Sequence, residues 1–226
     1  MSENYVIIAA GGNGVRMGAE VPKQFILLNG KPILMHTIET FYNFDKKIKI
    51  VLALPTDAIA EWKKLCRQHS FKIKTTIVEG GKERFHSVKN ALSIIPDGSL
   101  AAIHDGVRPF VSKQTIERCF SAAEMLGNAI PVLPLEESMR LIDGEHNSII
   151  DRTKLRVVQT PQVFRSEIIK RAYQRDFEEK FTDDASVLEK SGYSINLIQG
   201  NRENIKITTP FDLKTAAILL EMGINK

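Results

Sequence analysis

An α/β fold, with a mostly parallel sheet wrapped by helices, is the expectation for this chain on two observations. Short apolar runs at Tyr5 to Ala10, Ile48 to Leu54, Ile73 to Val78 and Leu100 to His104 alternate with amphipathic stretches. The runs are apolar almost throughout, as strands covered on both faces require. Alternation of this kind packs helices onto the faces of a parallel sheet, because each crossover between parallel strands carries one.

The helices follow in order. Pro32 suits the first turn of a helix reaching about Phe44, and Thr56 is placed to cap one reaching about His69. Between Glu83 and Ile95, the residues Val88, Ala91, Leu92 and Ile95 share one face. A helix from Lys113 to Leu126 and a strand from Ala129 to Val132 continue the pattern. It breaks after Pro134. From 135 to 159 helical periodicity is absent, but Met139 to Ile142 and Val157 to Gln159 have strand character, with the turn-forming Asp143-Gly144 between them. This stretch reads as a β-arm. A two-stranded arm is marginal alone in water, so a second copy of the chain is its economical partner. Helices near Ser166 to Arg175 and Asp183 to Lys190, strands near Ile195 and Ile205, and a closing helix from Pro210 complete the core.

With 226 residues, 43% of them hydrophobic, the chain supports one core, so 1–226 reads as a single domain with 135–159 as an excursion. The 31 basic residues are nearly balanced by 27 acidic ones, which describes a mixed surface and argues against a nucleic-acid partner. Cys66 and Cys119 stand far apart, without the spacing of a zinc site or a disulfide framework. Met1-Ser2-Glu3-Asn4 lacks the basic segment of a signal peptide, and no run approaches the length of a membrane span. A soluble, cytoplasmic protein is expected.

The strongest chemical signal is Ala9-Ala10-Gly11-Gly12-Asn13-Gly14-Val15-Arg16-Met17-Gly18, followed by Pro22-Lys23-Gln24, at the carboxyl end of the first strand. Parallel sheets bind ligands there, and glycines let backbone N–H groups approach phosphate oxygens. Arg16 offers a planar fork and Lys23 a mobile point charge, a pair suited to a triphosphate. A P-loop would need Gly-Lys-Ser/Thr at its end, and a dinucleotide fingerprint would need GxGxxG running directly into a helix; this loop has neither. A solvated glycine-rich turn is the competing bland reading.

Three further clusters follow. Glu79-Gly80-Gly81-Lys82-Glu83-Arg84-Phe85-His86-Ser87 joins a strand to a helix N-terminus, a place for a base or ribose with Ser87 as a hydrogen-bonding group, or an ordinary connection. In His104-Asp105-Gly106-Val107-Arg108-Pro109, a carboxylate beside a phosphate site suggests a magnesium ligand at Asp105, the alternative being an Asp105–Arg108 salt bridge. His104 itself reads as a packing or capping residue. Lys206 sits in the apolar run Asn204-Ile205-Lys206-Ile207-Thr208; it either faces inward toward an anion or lies on an edge strand facing water. Thr182-Asp183-Asp184-Ala185-Ser186 opens a helix and reads as a cap.

In order along the chain, AAGGNGVRMG, PKQ, GGKERFHSV, HDGVRP, Asp151-Arg152, QTPQVF, TDDAS and NIKITTP resemble the 2-C-methyl-D-erythritol 4-phosphate cytidylyltransferases of the non-mevalonate isoprenoid pathway. The resemblance implies a doubly wound α/β fold and a CTP-dependent, magnesium-dependent cytidylyltransferase that transfers CMP to methylerythritol phosphate and releases pyrophosphate, acting as a homodimer joined by its β-arms. It implies that Arg16 and Lys23 are catalytic cations at the α-phosphate with Lys206 beside them, and that Ala10, Gly11 and Gly12 line the nucleotide. Gly81, Ser87 and the pair Asp105-Gly106 would complete the cytidine and metal site, with Asp105 on the metal. Arg108, Thr182 and Lys206 would face the acceptor's phosphate, joined by Ser138 and Arg152 from the partner's arm.

The sequence also departs from the family's pattern. Lys82 replaces an acidic residue, which leaves Gly81 or Glu83 to meet the ribose, and Ser138 replaces a threonine while keeping its hydroxyl. HDGVRP leans toward the ribitol 5-phosphate cytidylyltransferases, whereas Asp151-Arg152 and TDDAS favour methylerythritol phosphate. A nucleotide-binding homologue without turnover is the non-enzymatic alternative.

Overall fold

The computed structural model describes residues 3–11 and 21–224. Strand β1 (Asn4–Ala9) lies at the centre of an eight-stranded sheet, and a 3-10 turn (Lys23–Phe25) and the short ladder of β2 (Leu27–Leu28) with β3 (Lys31–Pro32) lead into helix α1 (Ile33–Phe44). Next come β4 (Lys49–Leu54), α2 (Ala58–Gln68), β5 (Thr76–Glu79), α3 (Arg84–Leu92), β6 (Leu100–Asp105), α4 (Lys113–Leu126) and β7 (Asn128–Pro134). Strands β8 (Arg140–Asp143) and β9 (His146–Ile149) pair only with each other among the described residues. The chain then returns through β10 (Arg156–Val158), β11 (Gln162–Arg165), α5 (Ser166–Ala172), α6 (Asp184–Glu189), β12 (Leu197–Gln199) and α7 (Pro210–Glu221).

The pairings β5–β4–β1–β6 are all parallel, with β1 flanked by β4 and β6. Strand β11 runs antiparallel between β6 and β7, so the crossover through α4 skips one position. Strand β12 adds parallel to β7, and β10 pairs antiparallel with it. The sheet is therefore mostly parallel over its central strands, with the antiparallel exceptions gathered around β7.

Alternation along β1 explains why its strand reads as an unbroken apolar run. Val6 and Ile8 enter a core with Ile38 and Phe41 of α1, Trp62 of α2 and Phe120 of α4, while Ile7 enters another with Val88 of α3, Ile169 of α5 and Leu188 of α6. Both faces are dry. Each fully buried aliphatic or aromatic side chain contributes about 1.5 to 3 kcal/mol, so Phe41→Ala or Ile7→Ala would leave a costly cavity. A smaller cluster of Leu28, Ile33, Val107, Phe110, Ile207 and Ala216 fastens α7 beside the turn that follows β6.

Helix limits follow local chemistry. Ser112 Oγ accepts from Thr115 N–H to open α4, and Gly127 closes it with φ 90°, a left-handed conformation that favours glycine. Asp183 caps α6 through Ser186 N–H, and Thr209 caps α7 with Pro210 at its first turn. Some expectations are corrected. Thr56 does not cap α2, whose first residue follows Asp57, itself in helical conformation with no side-chain cap. Pro32 precedes α1 instead of lying in its first turn, and β5 starts at Thr76. No strand forms near Ile205: segment 204–208 is irregular and meets its neighbour through Ile207 N–H on Val107 O, 3.0 Å away. Of the two strand-like runs in the arm stretch, 140–142 lies in β8, paired with β9, while 157–158 lies in β10 on the main sheet.

Candidate functional site

A cleft of about 330 Å³ opens at the carboxyl ends of β1, β5 and β6, where the strands give way to turns. Close backbone approach shapes it. Gly106 N–H donates to Ala9 O at 2.9 Å, and a Cβ on Gly106 would meet Ala10 Cβ at 3.0 Å and Ala9 O at 3.3 Å. A side chain at 106 would wedge the turns after β1 and β6 apart. Gly81 is tighter still, since a Cβ there would lie 2.3 Å from His86 Cβ. Its N–H donates to Ser87 Oγ at 3.0 Å, and Ser87 Oγ donates to Glu83 O at 3.2 Å. The glycine turn is thus tied to the first turn of α3, whose N-terminus faces the cleft.

Asp105 is the electrostatic centre. Its Oδ2 lies 3.0 Å from Arg108 Nε and 3.0 Å from Lys206 Nζ, and its Oδ1 lies 3.5 Å from Arg84 Nε. Burial by itself would raise the pKa of this carboxyl, but Arg84, Lys206 and Arg108 together hold it well below the usual carboxylate range. Arg84 is fixed in turn by Asp184, which is fully buried and takes both ends of the guanidinium fork at 2.8 and 2.7 Å. Tyr173 donates its hydroxyl to the same carboxylate at 2.6 Å. Arg108 also donates to Asn204 O at 2.9 Å, which joins the turn after β6 to the segment carrying Lys206. Five charged groups from four separate stretches of chain therefore interlock. Three are cations and two are anions, so the cluster keeps a positive excess facing the cleft.

His104 sits behind this cluster as a neutral spacer. Arg108 O, 2.9 Å from Nε2, can only accept, so Nε2 carries the proton and Nδ1 accepts from the Thr160 hydroxyl at 3.0 Å. Thr160 Oγ1 in turn accepts from Asp105 N–H at 3.2 Å. Burial pushes the imidazole pKa down to about 4, which matches a packing role and excludes an imidazolium at neutral pH.

Seven of the residues singled out in the sequence line the cleft: Ala10, Gly11, Lys23, Gly81, Ser87, Asp105 and Lys206. Gly106 and Arg108 adjoin it through Ala9 and Asp105. The salt bridge of Asp105 with Arg108 is present, and Lys206 shares the same carboxylate oxygen. Lys206 is partly exposed, yet its amine turns to Asp105 and not to bulk water alone. Arg16 and Gly12 lie outside the described residues. Thr182 is exposed just before α6 and is not among the residues lining the cleft. Ser138 and Arg152 are exposed in the arm stretch, the Arg152 guanidinium bonds to Glu136 O, and neither residue is among those lining this chain's cleft.

Arg84, Asp184 and Gln24 were not singled out one by one from the sequence. A signal for Arg84 existed: a cation in the first turn of a helix opposes the helix dipole and points to a fixed anion nearby. Lys82 and Glu83 line the cleft too. For a metal, no group of three His, Cys, Asp or Glu side chains gathers among the described residues. Among those residues Asp105 Oδ1 is engaged only by Arg84 at 3.5 Å, so one carboxylate oxygen is available to an ion whose other ligands come with a polyphosphate, the usual habit of magnesium. The residues fit a metal–nucleotide complex and not a bare ion. No helix among the described residues is long and apolar enough to cross a membrane.

Comparison with known proteins gives consistent results. The family described as IspD, 2-C-methyl-D-erythritol 4-phosphate cytidylyltransferase, matches residues 4–222. The chain is 50% identical over 214 residues to the 2-C-methyl-D-erythritol 4-phosphate cytidylyltransferase of Bacteroides fragilis, covering 95% of this chain and 98% of that one. It is 37% identical over 222 residues to the protein of that name from Bacillus licheniformis, covering 96% of each. Among solved structures, the 2-C-methyl-D-erythritol 4-phosphate cytidylyltransferase of Thermus thermophilus superposes with a TM-score of 0.80 at 29% identity, over 98% of this chain and 100% of that one. The 4-diphosphocytidyl-2C-methyl-D-erythritol synthase of Anaerococcus prevotii superposes with a TM-score of 0.82 at 25% identity, over 97% and 96%.

Proposed function

The chain belongs to the 2-C-methyl-D-erythritol 4-phosphate cytidylyltransferase family, and from that premise we propose that the cleft at the carboxyl ends of β1, β5 and β6 is where it works. The protein is a cytidylyltransferase that transfers CMP from CTP to 2-C-methyl-D-erythritol 4-phosphate, a step of isoprenoid precursor synthesis. The names of its relatives decide between the two acceptors in favour of methylerythritol phosphate over ribitol phosphate. The observation that carries the site assignment is the convergence of Lys23, Lys206 and Asp105, far apart in the chain, on one cleft with the glycine turns.

In this reading a phosphate oxygen of the acceptor attacks the α-phosphorus of CTP. The new P–O bond forms as the bond to the bridging oxygen breaks, and pyrophosphate leaves with that electron pair. A phosphate monoester with a second pKa of about 6 is already mostly dianionic at neutral pH, so no general base is needed. The task is electrostatic: two anions must meet while charge moves to the leaving group. Arg16, Lys23 and Lys206 supply positive charge at the transition state. Ala10, Gly11, Gly12, Gly81, Ser87 and Gly106 hold the nucleoside and phosphates, and Arg108 and Thr182 face the acceptor. Lys206 leaves Asp105 for the phosphate when substrate arrives. Asp105 would hold magnesium bound with the triphosphate, and the ion would neutralise part of the polyphosphate charge.

The second half of the proposal concerns assembly. Residues 135–159 leave the single domain as one excursion that returns to the main sheet through β10, and Ser138 and Arg152 complete the partner's site in a homodimer. The support is the β8–β9 hairpin, which exposes Leu141, Ile142 and Ile149 at 56%, 68% and 84% and joins no other strand among the described residues. Cytoplasmic residence is supported by the free thiols of Cys66 and Cys119. Mixing an Arg16→Ala chain with an Arg152→Ala chain tests the dimer: exchanged heterodimers regain one intact site and part of the activity. No recovery, with exchange verified, removes the trans role of Arg152.

A further inference from the structure

Gln24 is 1% exposed, and neither its Oε1 nor its Nε2 has a hydrogen-bond partner among the described residues. It follows Lys23 in the 3-10 turn and lines the same cleft as Lys23, Gly11, Asp105 and Lys206. The neighbouring unpartnered carboxamide atoms belong to side chains of a different kind. Gln159 leaves Oε1 idle but donates through Nε2 to Asn201 O and Asn204 O, and Asn204 leaves Oδ1 idle but donates through Nδ2 to Thr160 O. Among the described residues, Gln24 has both ends of its carboxamide idle.

The turn does not depend on that amide for its position. Phe25 anchors it by stacking on Trp62 with ring centroids 6.2 Å apart, and Phe25 N–H donates to Pro22 O at 2.8 Å. A buried carboxamide without partners costs free energy that an apolar side chain of the same shape would avoid. A group that completes it must therefore come from outside the described residues, and the cleft is the way in.

We infer that Gln24 is a further substrate-binding residue: Nε2 donates to a phosphoryl oxygen, and Oε1 accepts from a hydroxyl of the same phosphate ester. Phosphate by itself satisfies only the donor end, because a dianion offers acceptors and no proton. A phosphate ester bearing a free hydroxyl satisfies both. The ribose of CTP and the polyol of the acceptor each have this chemistry, so the substrate in contact is an outcome of the test. The inference rests on the reading of this cleft as the substrate site. Being uncharged, Gln24 would orient its ligand and add nothing to the field set by the cations.

Two nearly isosteric variants of the full chain test it. Gln24→Met removes both hydrogen-bonding groups at constant volume, and Gln24→Glu keeps the acceptor, loses the donor and adds a charge. Thermal unfolding without ligand, and steady-state pyrophosphate release with CTP, magnesium and methylerythritol phosphate, are measured beside the wild type. Gln24→Met is expected to unfold at a higher temperature than wild type without ligand, and to lose at least tenfold in kcat/KM. KM should rise for the one substrate that touches Gln24 and stay within twofold for the other, which identifies the source. Gln24→Glu is expected to be the weaker enzyme of the two. A lower unfolding temperature for ligand-free Gln24→Met, unchanged kcat/KM, or a Gln24→Glu enzyme as active as wild type would each overturn the inference. If wild type turns over but CTP still protects a Lys23→Ala, Lys206→Ala double variant fully against unfolding, the cleft reading fails and the inference falls with it.

Discussion

The two ends of the central sheet carry clefts of opposite character. At the amino ends of β1, β4, β5 and β6 lies the larger one, about 1160 Å³, lined by Lys46, Lys49, Lys74, Glu117 and Glu124 among others. At the carboxyl ends lies one of about 330 Å³, where a single buried carboxylate meets three cations. Volume points to the first and chemistry to the second. The charges of the large cleft are surface side chains with water to solvate them, and such pairs contribute little. Beside the small cleft, Arg84 and Arg108 are held by buried partners, Asp184 and Asn204, so the positions of these two cations around Asp105 are set before any ligand arrives. Preorganised charge is what phosphoryl transfer needs. Turns and helix N-termini collect at this end of a parallel sheet, which is why the cross-linking residues collect there too.

The sharpest way to break this contrast is to remove one cation from the small cleft. Arg16→Ala, Lys23→Ala and Lys206→Ala are each expected to lower kcat about a hundredfold or more in a pyrophosphate-release assay, the scale seen when one preorganised donor is removed. Their unfolding temperatures should stay close to wild type. Near-normal turnover in all three would place the chemistry elsewhere.

Next in size is the support behind the cluster. Asp184→Asn leaves Arg84 without its buried counter-charge and is expected to cost on the order of 3 kcal/mol. In a domain of this length that lowers the unfolding temperature by roughly 6 to 12 °C, a change visible by calorimetry. A stable Asp184→Asn protein would show that Arg84 is held by Asp105 alone.

The pH dependence of stability sharpens the comparison further. His104 has a folded pKa of about 4 against 6.5 for the free side chain. Between those values the unfolded chain binds a proton that the folded chain refuses, so stability falls as pH drops from 6.5 toward 4. Asp105, held below its usual range by three cations, acts in a separate window: its contribution is present above pH 3.8 and fades only as pH falls further. Urea titrations at about pH 7 and about pH 5 should therefore show a loss for wild type that is smaller in His104→Gln. Equal losses would mean that the imidazole is not kept neutral by burial.

The smallest effect is expected at the other end of the sheet. Replacing Lys46, Lys49 and Lys74 together by alanine should leave kcat/KM within twofold, since all three amines belong to a solvated rim. A tenfold drop would make the large cleft part of the working enzyme.

Much of the fold was legible because local chemistry and global burial agree there. The apolar runs at β1, β4 and β6 and the helix expected from Lys113 to Leu126 each say the same thing at short and long range. The limits failed where a neighbour overrode local preference. The run around Ile205 has strand character, but Asn204 and Ile205 bond back to Asn201 and Glu203 and Ile207 meets the turn after β6 through Val107 O, so it joins no sheet among the described residues. Within the site, the types of group were readable, since glycines, Lys23, Asp105 and Lys206 stood beside strand ends in the sequence. Gln24 was quoted beside Lys23 but given no role, because a polar residue next to a lysine looks solvated until its burial in the turn is known.

Spacing and residue type by themselves determined that a parallel sheet would present glycine turns and cations at its carboxyl edge. Only the folded chain decided which charges touch. Asp105 and Arg84 are 21 residues apart, and Arg84 and Asp184 are 100 apart. Their pairing depends on helices α3 and α6 packing on one face of the sheet, and that contact is a property of the whole core. Electrostatic partnership acts through space, and sequence distance carries almost no information about it.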